Sequence, residues 1–373
     1  MKILFDFEDR ANKYWGVPLA AIDDLKSMLT LKEYKLELWV SNRESDLINS
    51  IPAQDYRSLA FLDNATVINT RPSNKKLWVD QFCKIFESSD CDYFYTDLFP
   101  GTNIKNSKRI IRLHEPLSNF TYPISEFISK GKLKLKVARA ARSQAFKRVN
   151  EQSILVCSTN FIANRVSKIN DIPLENLHVI PYGFNWNSFE SIKSVRSNST
   201  QSEDYYLMVS GLRGRKRPDI VINAWANLRN IPKLIVVGNI PLNSISDQAR
   251  KQIEIGRLVL KPRVSEYDLN ILRINANAMI FASEYEGFGR PVIEALIAGV
   301  PSIANDLEVF KEINPNAVDF FPLEVPELLE QLLIKYSHKI GEEDSKTLIQ
   351  KVSNYSYFEV GKKWKNLLTP KAK

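Results

Sequence analysis

Histidine and cysteine are scarce in this 373-residue chain, with 3 copies each, and the two scarcities together narrow what the protein can be. Cys83, Cys91 and Cys157 are odd in number, form no CxxC pair and have no paired histidines. Neither a disulfide framework nor a thiolate zinc site is therefore expected, and a reducing cytosol is the expected location. Long apolar runs are also missing: none approaches the roughly 18 residues that cross a bilayer, so any membrane contact would be peripheral. Met1 leads straight into Lys2-Ile3-Leu4-Phe5-Asp6-Phe7 without the basic and then apolar segments of a signal peptide, so the mature chain is expected to begin there.

The composition that remains, 44% hydrophobic and 25% charged, is that of a folded globular protein. The length suits two domains with a cleft. A net charge of +8 favours anionic partners, and composition alone does not separate nucleotides, phospholipid headgroups and nucleic acid.

Short β-branched and aromatic runs recur at Ile3–Phe7, Leu36–Val40, Asp92–Tyr95, Arg109–His114, Ile154–Ser158 and Val179–Tyr182, separated by helix-length stretches. A Ser- and Asn-rich segment follows, and a second alternation begins with Tyr206–Val209, Leu234–Val237, Leu258–Leu260, Ala278–Phe281, Ser302–Ala304 and Val318–Phe321. These later runs are almost continuously apolar, as parallel strands covered on both faces should be. Helices are expected at Asp219–Leu228 and at Glu266–Ile274, the latter capped by Ser265. The chain thus reads as an α/β protein of two Rossmann-like, doubly wound parallel-sheet domains: 1–190, a linker at 191–204, 205–355, and a C-terminal helix in 356–373.

The stretch richest in chemistry is Ser283-Glu284-Tyr285-Glu286-Gly287-Phe288-Gly289-Arg290-Pro291-Val292-Ile293-Glu294-Ala295-Leu296. It follows a strand and opens a helix, with Pro291 suited to the first turn and Gly299 to the stop. Such a loop lies in the ligand crevice at the carboxyl ends of the strands. Gly287 and Gly289 permit close approach of backbone to ligand, and the helix N-terminus favours phosphate. Carboxylates would repel a pyrophosphate, so Glu286 and Glu294 should face hydroxyls, such as those of a sugar ring and a ribose. A second concentration of charge, Arg213-Gly214-Arg215-Lys216-Arg217, occupies the first strand-to-helix turn of the second domain, where cations could neutralise a departing diphosphate.

The Ser283–Ala295 stretch resembles the E-x7-E element of retaining GT-B glycosyltransferases, especially family four, whose pattern is approximately S-x-x-E-G-F-G-x-P-x-x-E-A. The resemblance implies that Glu294 holds the nucleotide ribose, while Glu286 and the amides of Gly287, Phe288 and Gly289 contact the transferred sugar. The family turn G-R-L-x-x-x-K aligns its lysine with Lys216 but puts Gly211 where the phosphate-binding arginine belongs, and Arg213 or Arg215 is expected to substitute. Main-chain contacts to the base are expected at Arg263 and Val264. His114, before Glu115, resembles the family H-D element and would lie beside the sugar. His178 is expected to be a packed residue, and Gly16 to mark an acceptor-side loop.

By the same resemblance the C-terminal segment from Tyr357 crosses back onto the first, acceptor-binding domain. The implied activity is retaining transfer of a hexose, mannose before others, from a nucleoside diphosphate sugar to a hydroxyl of a glycan or lipid-linked glycan. Glu286, His114 and Lys216 would be the catalytic residues. No further cofactor, metal or nucleic-acid partner is expected, Asp90-Cys91-Asp92 being an isolated three-residue match to a metal motif. Segment 130–148 is basic and free of acids, and two readings of it stand: peripheral contact with the inner membrane face, or a solvated basic helix. The rival functions are another GT-B enzyme, an epimerase or phosphorylase, and a non-catalytic sugar- or nucleotide-binding module.

Overall fold

A computed structural model describes residues 1–6, 16–31, 33–39, 65–68, 91–96, 109–114, 153–186, 203–210, 214–262, 264–314 and 316–369. The chain divides into two compact units, Met1–Gly183 with Tyr357–Lys373, and Phe184–Ser356. Most of the expected linker, residues 191–202, lies outside the described residues, as does segment 130–148.

The first unit is built on strands β1 (Lys2–Asp6), β2 (Lys35–Trp39), β3 (Ala65–Ile68), β4 (Tyr93–Thr96), β5 (Arg109–Leu113), β6 (Ser153–Cys157) and β7 (Leu177–Val179), with helices α1 (Gly16–Leu29) and α2 (Asn160–Asn170). All the pairings are parallel and the strand order is β3-β2-β1-β4-β5-β6-β7. The order reverses between β1 and β4, as in doubly wound nucleotide-binding folds. The sequence pattern had not marked β3, and it had placed β7 at Val179–Tyr182. In the structure Ile180 has already left the strand, its amide donating to the Cys157 carbonyl (3.0 Å).

The second unit contains β8 (Tyr205–Val209), α3 (Pro218–Asn227), β9 (Lys233–Val237), α4 (Asp247–Glu254), β10 (Leu258–Lys261), α5 (Glu266–Asn275), β11 (Ala278–Phe281), α6 (Arg290–Ile297), β12 (Ser302–Asn305), α7 (Glu308–Ile313), β13 (Val318–Phe321), α8 (Pro326–Lys335) and α9 (Glu342–Lys351). Its parallel sheet has the order β10-β9-β8-β11-β12-β13, reversing between β8 and β11. Tyr206, Met208, Val236, Ile280 and Ile303 of the sheet pack with Val221, Ile222 and Trp225 of α3 and Leu329 of α8. Ser265 caps α5 as expected, its hydroxyl accepting from the Asp268 amide.

The last helix, α10 (Tyr357–Leu368), returns to the first unit. Val360, Trp364 and Leu368 recur every four residues on one face and are buried with Ile22, Leu25 and Met28 of α1 and with Phe5 and Tyr95 of the sheet. Gly361 allows this approach, because a Cβ there would lie 2.4 Å from the Ser27 carbonyl oxygen.

Candidate functional site

In the second unit the segments after β8 and β11 flank the strand-order reversal, which is where open α/β sheets bind ligands. They are joined by a backbone hydrogen bond from the Glu284 amide to the Arg215 carbonyl (2.8 Å). Gly289 has φ +93° and closes the loop before α6, and a Cβ there would stand 2.5 Å from Phe310 Cε1. A side chain is thus excluded by both conformation and space. Pro291 falls in the first turn of α6, and Gly299, with φ +73°, follows its end.

Glu286 is buried, at 8% exposure, and accepts at Oε1 from Lys216 Nζ (2.5 Å) and Ser283 Oγ (2.8 Å). Burial pushes its carboxyl up, but the Lys216 and Arg215 cations and these hydrogen bonds outweigh that, and the net shift is downward. The ionised carboxylate is therefore held at neutral pH next to the turn that supplies cations. Arg217, in the left-handed region at φ +44°, pairs instead with Asp219 and Glu284 (both 2.8 Å). Arg213 and Arg263 lie outside the described residues. Val264 directly precedes the cap of α5 and is partly buried.

The Phe288 ring is core, stacked on Phe184 at 6.2 Å and edge-on to Tyr355 at 5.9 Å. The ring is therefore taken up by packing, and the backbone of this residue is the part left to the loop. Glu294 lies in the second turn of α6, with Oε2 accepting from Arg273 Nη2 (2.6 Å). The sequence reading missed Arg273. Its signal was a cation four residues after Leu269 and next to Ile274, on the buried side of α5, where an apolar residue belongs.

A cavity of about 510 Å³ opens nearby, bounded by Arg217, Glu284, Asn305, Asp306 and Glu324. Neither Glu286 nor Glu294 lines it, so it is not the site these carboxylates define.

In the first unit His114 follows β5, its Nδ1 hydrogen-bonded to the Tyr182 hydroxyl (2.6 Å). Behind them, Arg112 packs over the Tyr182 ring at 4.6 Å and pairs with Asp24 at 3.1 Å, both charges fully buried. Tyr95 donates to the same carboxylate oxygen (2.6 Å), and Arg112 Nη1 donates to the Ile180 carbonyl (2.6 Å). Burial raises the Asp24 carboxyl against the opposing pull of Arg112. Asp24 and Arg112 were missed because each sits inside a run that reads as apolar.

Gly16 is the first residue of α1, so it is helical rather than within a loop, and the residues before it lie outside the described ones. His178 is exposed, not packed: β7 is an edge strand of three residues, and alternation buries Leu177 and turns its neighbour outward. Of the Asp90-Cys91-Asp92 match, Asp90 lies outside the described residues and Asp92 accepts from the Lys2 amide (2.9 Å).

Residues 190–346, which contain both segments at the strand-order reversal, match the family model described as glycosyl transferases group 1. This stretch is similar to glycosyl transferases group 1 domains. Within it lie Lys216, Glu286, Glu294 and Arg273. The chain is 32% identical over 127 residues to the serotype-specific mannosyltransferase WbdA of Escherichia coli, covering 32% of this chain and 16% of that protein. It is 27% identical over 159 residues to the O-antigen chain mannosyltransferase RfbU of Salmonella typhimurium, covering 42% of each. The matched region thus spans about a sixth of one relative's length and about two fifths of the other's.

The likeness in fold extends further than this stretch. The structure of Anabaena Alr3699/HepE in complex with UDP superposes with TM-score 0.68 at 17% identity over 99% of both chains. WaaG, a glycosyltransferase involved in lipopolysaccharide biosynthesis, does so with TM-score 0.63 at 14% identity over the full length of both. The two Rossmann-like units with a returning C-terminal helix are those of the GT-B fold.

Proposed function

We propose that this protein is a retaining glycosyltransferase that moves a hexose, mannose foremost, from a nucleoside diphosphate sugar to a hydroxyl of a glycan or lipid-linked glycan. The observation that carries this reading is the pair of carboxylates, buried Glu286 and partly buried Glu294, each held by a cation beside the strand-order reversal of the stretch that matches the group 1 model. WbdA and RfbU are both named as mannosyltransferases, which supports the choice of sugar and a glycan acceptor.

In the reaction the bond from the anomeric carbon to the diphosphate oxygen breaks, and the acceptor oxygen bonds to the same face of that carbon. The acceptor proton passes to the departing diphosphate. Lys216, with Arg215 and Arg213, would stabilise the charge that develops on the leaving group. The amides of Gly287, Phe288 and Gly289 would hold the sugar, with Glu286 accepting from its hydroxyls. Glu294 would accept from the ribose, and the backbone at Arg263 and Val264 would contact the base. His114, anchored through Nδ1 by Tyr182, is assigned to a hydroxyl of the transferred sugar.

HepE was solved with UDP, which makes a UDP-hexose the second reading of the donor. Calorimetric titration with GDP, UDP and ADP, without added metal, decides between them. One nucleotide should bind clearly best, and Glu294→Ala should weaken it by about tenfold to a hundredfold, the worth of a charge-assisted hydrogen bond. Absence of binding at millimolar concentration for all three would refute the donor site.

A further inference from the structure

Arg273 lies outside every motif that pointed to the donor site. At 4% exposure it is nevertheless the one cation buried among the described residues of the second unit. Its Nη1 donates to Glu266 Oε1 (2.7 Å) and Asn270 Oδ1 (2.6 Å), and its Nη2 donates to Glu294 Oε2 (2.6 Å). Glu266 opens α5 directly after the turn assigned to the base, and Glu294 lies in α6. One planar group therefore ties the helix behind the base-contacting turn to the carboxylate assigned to the ribose. The fork geometry of a guanidinium fixes direction as well as distance, which a lysine ammonium does not.

The two oxygens of Glu294 are in different situations. Oε2 is taken by Arg273, while Arg290 Nη2 stands 3.6 Å from Oε1, beyond a hydrogen bond. A carboxylate gripped on one oxygen presents the other in a fixed direction, so the ordering cost is met before any ligand arrives.

We propose that Arg273 is a positioning residue for ribose recognition: by holding Oε2 of Glu294 it aims Oε1 at the nucleotide hydroxyls and sets the preference for ribose over deoxyribose. The proposal rests on the donor-site reading above. A purely structural Arg273 would alter stability, and affinity in proportion for all nucleotides, but not the ratio between nucleotides that differ only in the sugar hydroxyls.

The test is calorimetric titration of GDP, UDP and ADP, and of their 2′,3′-dideoxy forms, into wild type, Glu294→Ala, Arg273→Met and Arg273→Lys, with a thermal midpoint for each. The wild type should prefer the ribonucleotide by about tenfold to a hundredfold. Glu294→Ala should erase that preference. Arg273→Met should bring it to within about threefold while binding of the dideoxy form changes little, and Arg273→Lys should fall between. A wild-type ratio in folded Arg273→Met overturns the proposal; where that variant does not fold, a wild-type ratio in Arg273→Lys does so. A ratio that Glu294→Ala leaves unchanged overturns the donor-site reading instead, and no binding of GDP, UDP or ADP overturns both.

Discussion

Lys216→Met should destabilise the second unit and change the way its stability depends on pH. In the wild type the Lys216 and Glu286 side chains are 17% and 10% exposed and 2.5 Å apart. Removing one partner of a buried pair costs about 3 to 5 kcal/mol. The lower end applies, because Ser283 still donates to the carboxylate and Arg215 remains near it. For a unit of this size about 3 kcal/mol corresponds to a fall of roughly 6 to 12 °C in the unfolding midpoint.

The sign with pH follows from the direction of the shift. The wild-type carboxyl lies below its ordinary 4.5, so its contribution is present above that pH and is lost only as pH falls through the lower folded value. Losing Lys216 removes the largest cause that holds the carboxyl down, so it should move up from its wild-type position. The destabilisation of the variant relative to wild type should then shrink as pH falls toward the carboxylate range. In Lys216→Met/Glu286→Gln neither charge of the pair remains, and stability should return to within about 1 kcal/mol of wild type.

Scanning calorimetry of the three proteins at pH 5 to 8 checks this, with a transfer assay beside it. Transfer should stay lost in the double variant even though stability returns. A single variant within 1 kcal/mol of wild type at pH 7, or a double variant no better than the single, would refute the reasoning.

Two further outcomes follow from the packing. Gly289→Ala should lower the midpoint of the second unit by several degrees and reduce nucleotide binding, because it combines a positive φ with a Cβ 2.5 Å from Phe310; unchanged binding and stability would show that the loop relaxes freely. Trp364→Ala empties a fully buried site between α10 and the first sheet and should cost about 3 to 5 kcal/mol. Calorimetry should show the loss in the first unit's transition, with GDP and UDP binding by the second unit retained.

The second unit was legible in the sequence because its signals are local. Parallel strands buried on both faces read as apolar runs, and all six appear within a residue or so of expectation. The loop before α6 is likewise local: Gly289, Pro291 and Gly299 mark a left-handed residue, a first turn and a stop, and between them they fix where Glu286 and Glu294 must stand.

The pairings of those residues were decided by tertiary structure. Arg273 meets Glu294 across 21 residues, Lys216 meets Glu286 across 70, and Arg112 meets Asp24 across 88 positions of chain numbering. A charged residue inside an apolar stretch looks like an interruption until its partner is known. Its burial is tolerated only because a second element delivers the opposite charge. The exposed His178 teaches the same lesson in reverse, since the strand pattern was visible but the edge position of β7 was not. Sequence periodicity determined which segments of the second unit form strands, whereas β3 of the first unit carried no such signal. Which buried charge faces which depends on contacts between distant segments, and only the folded chain could decide it.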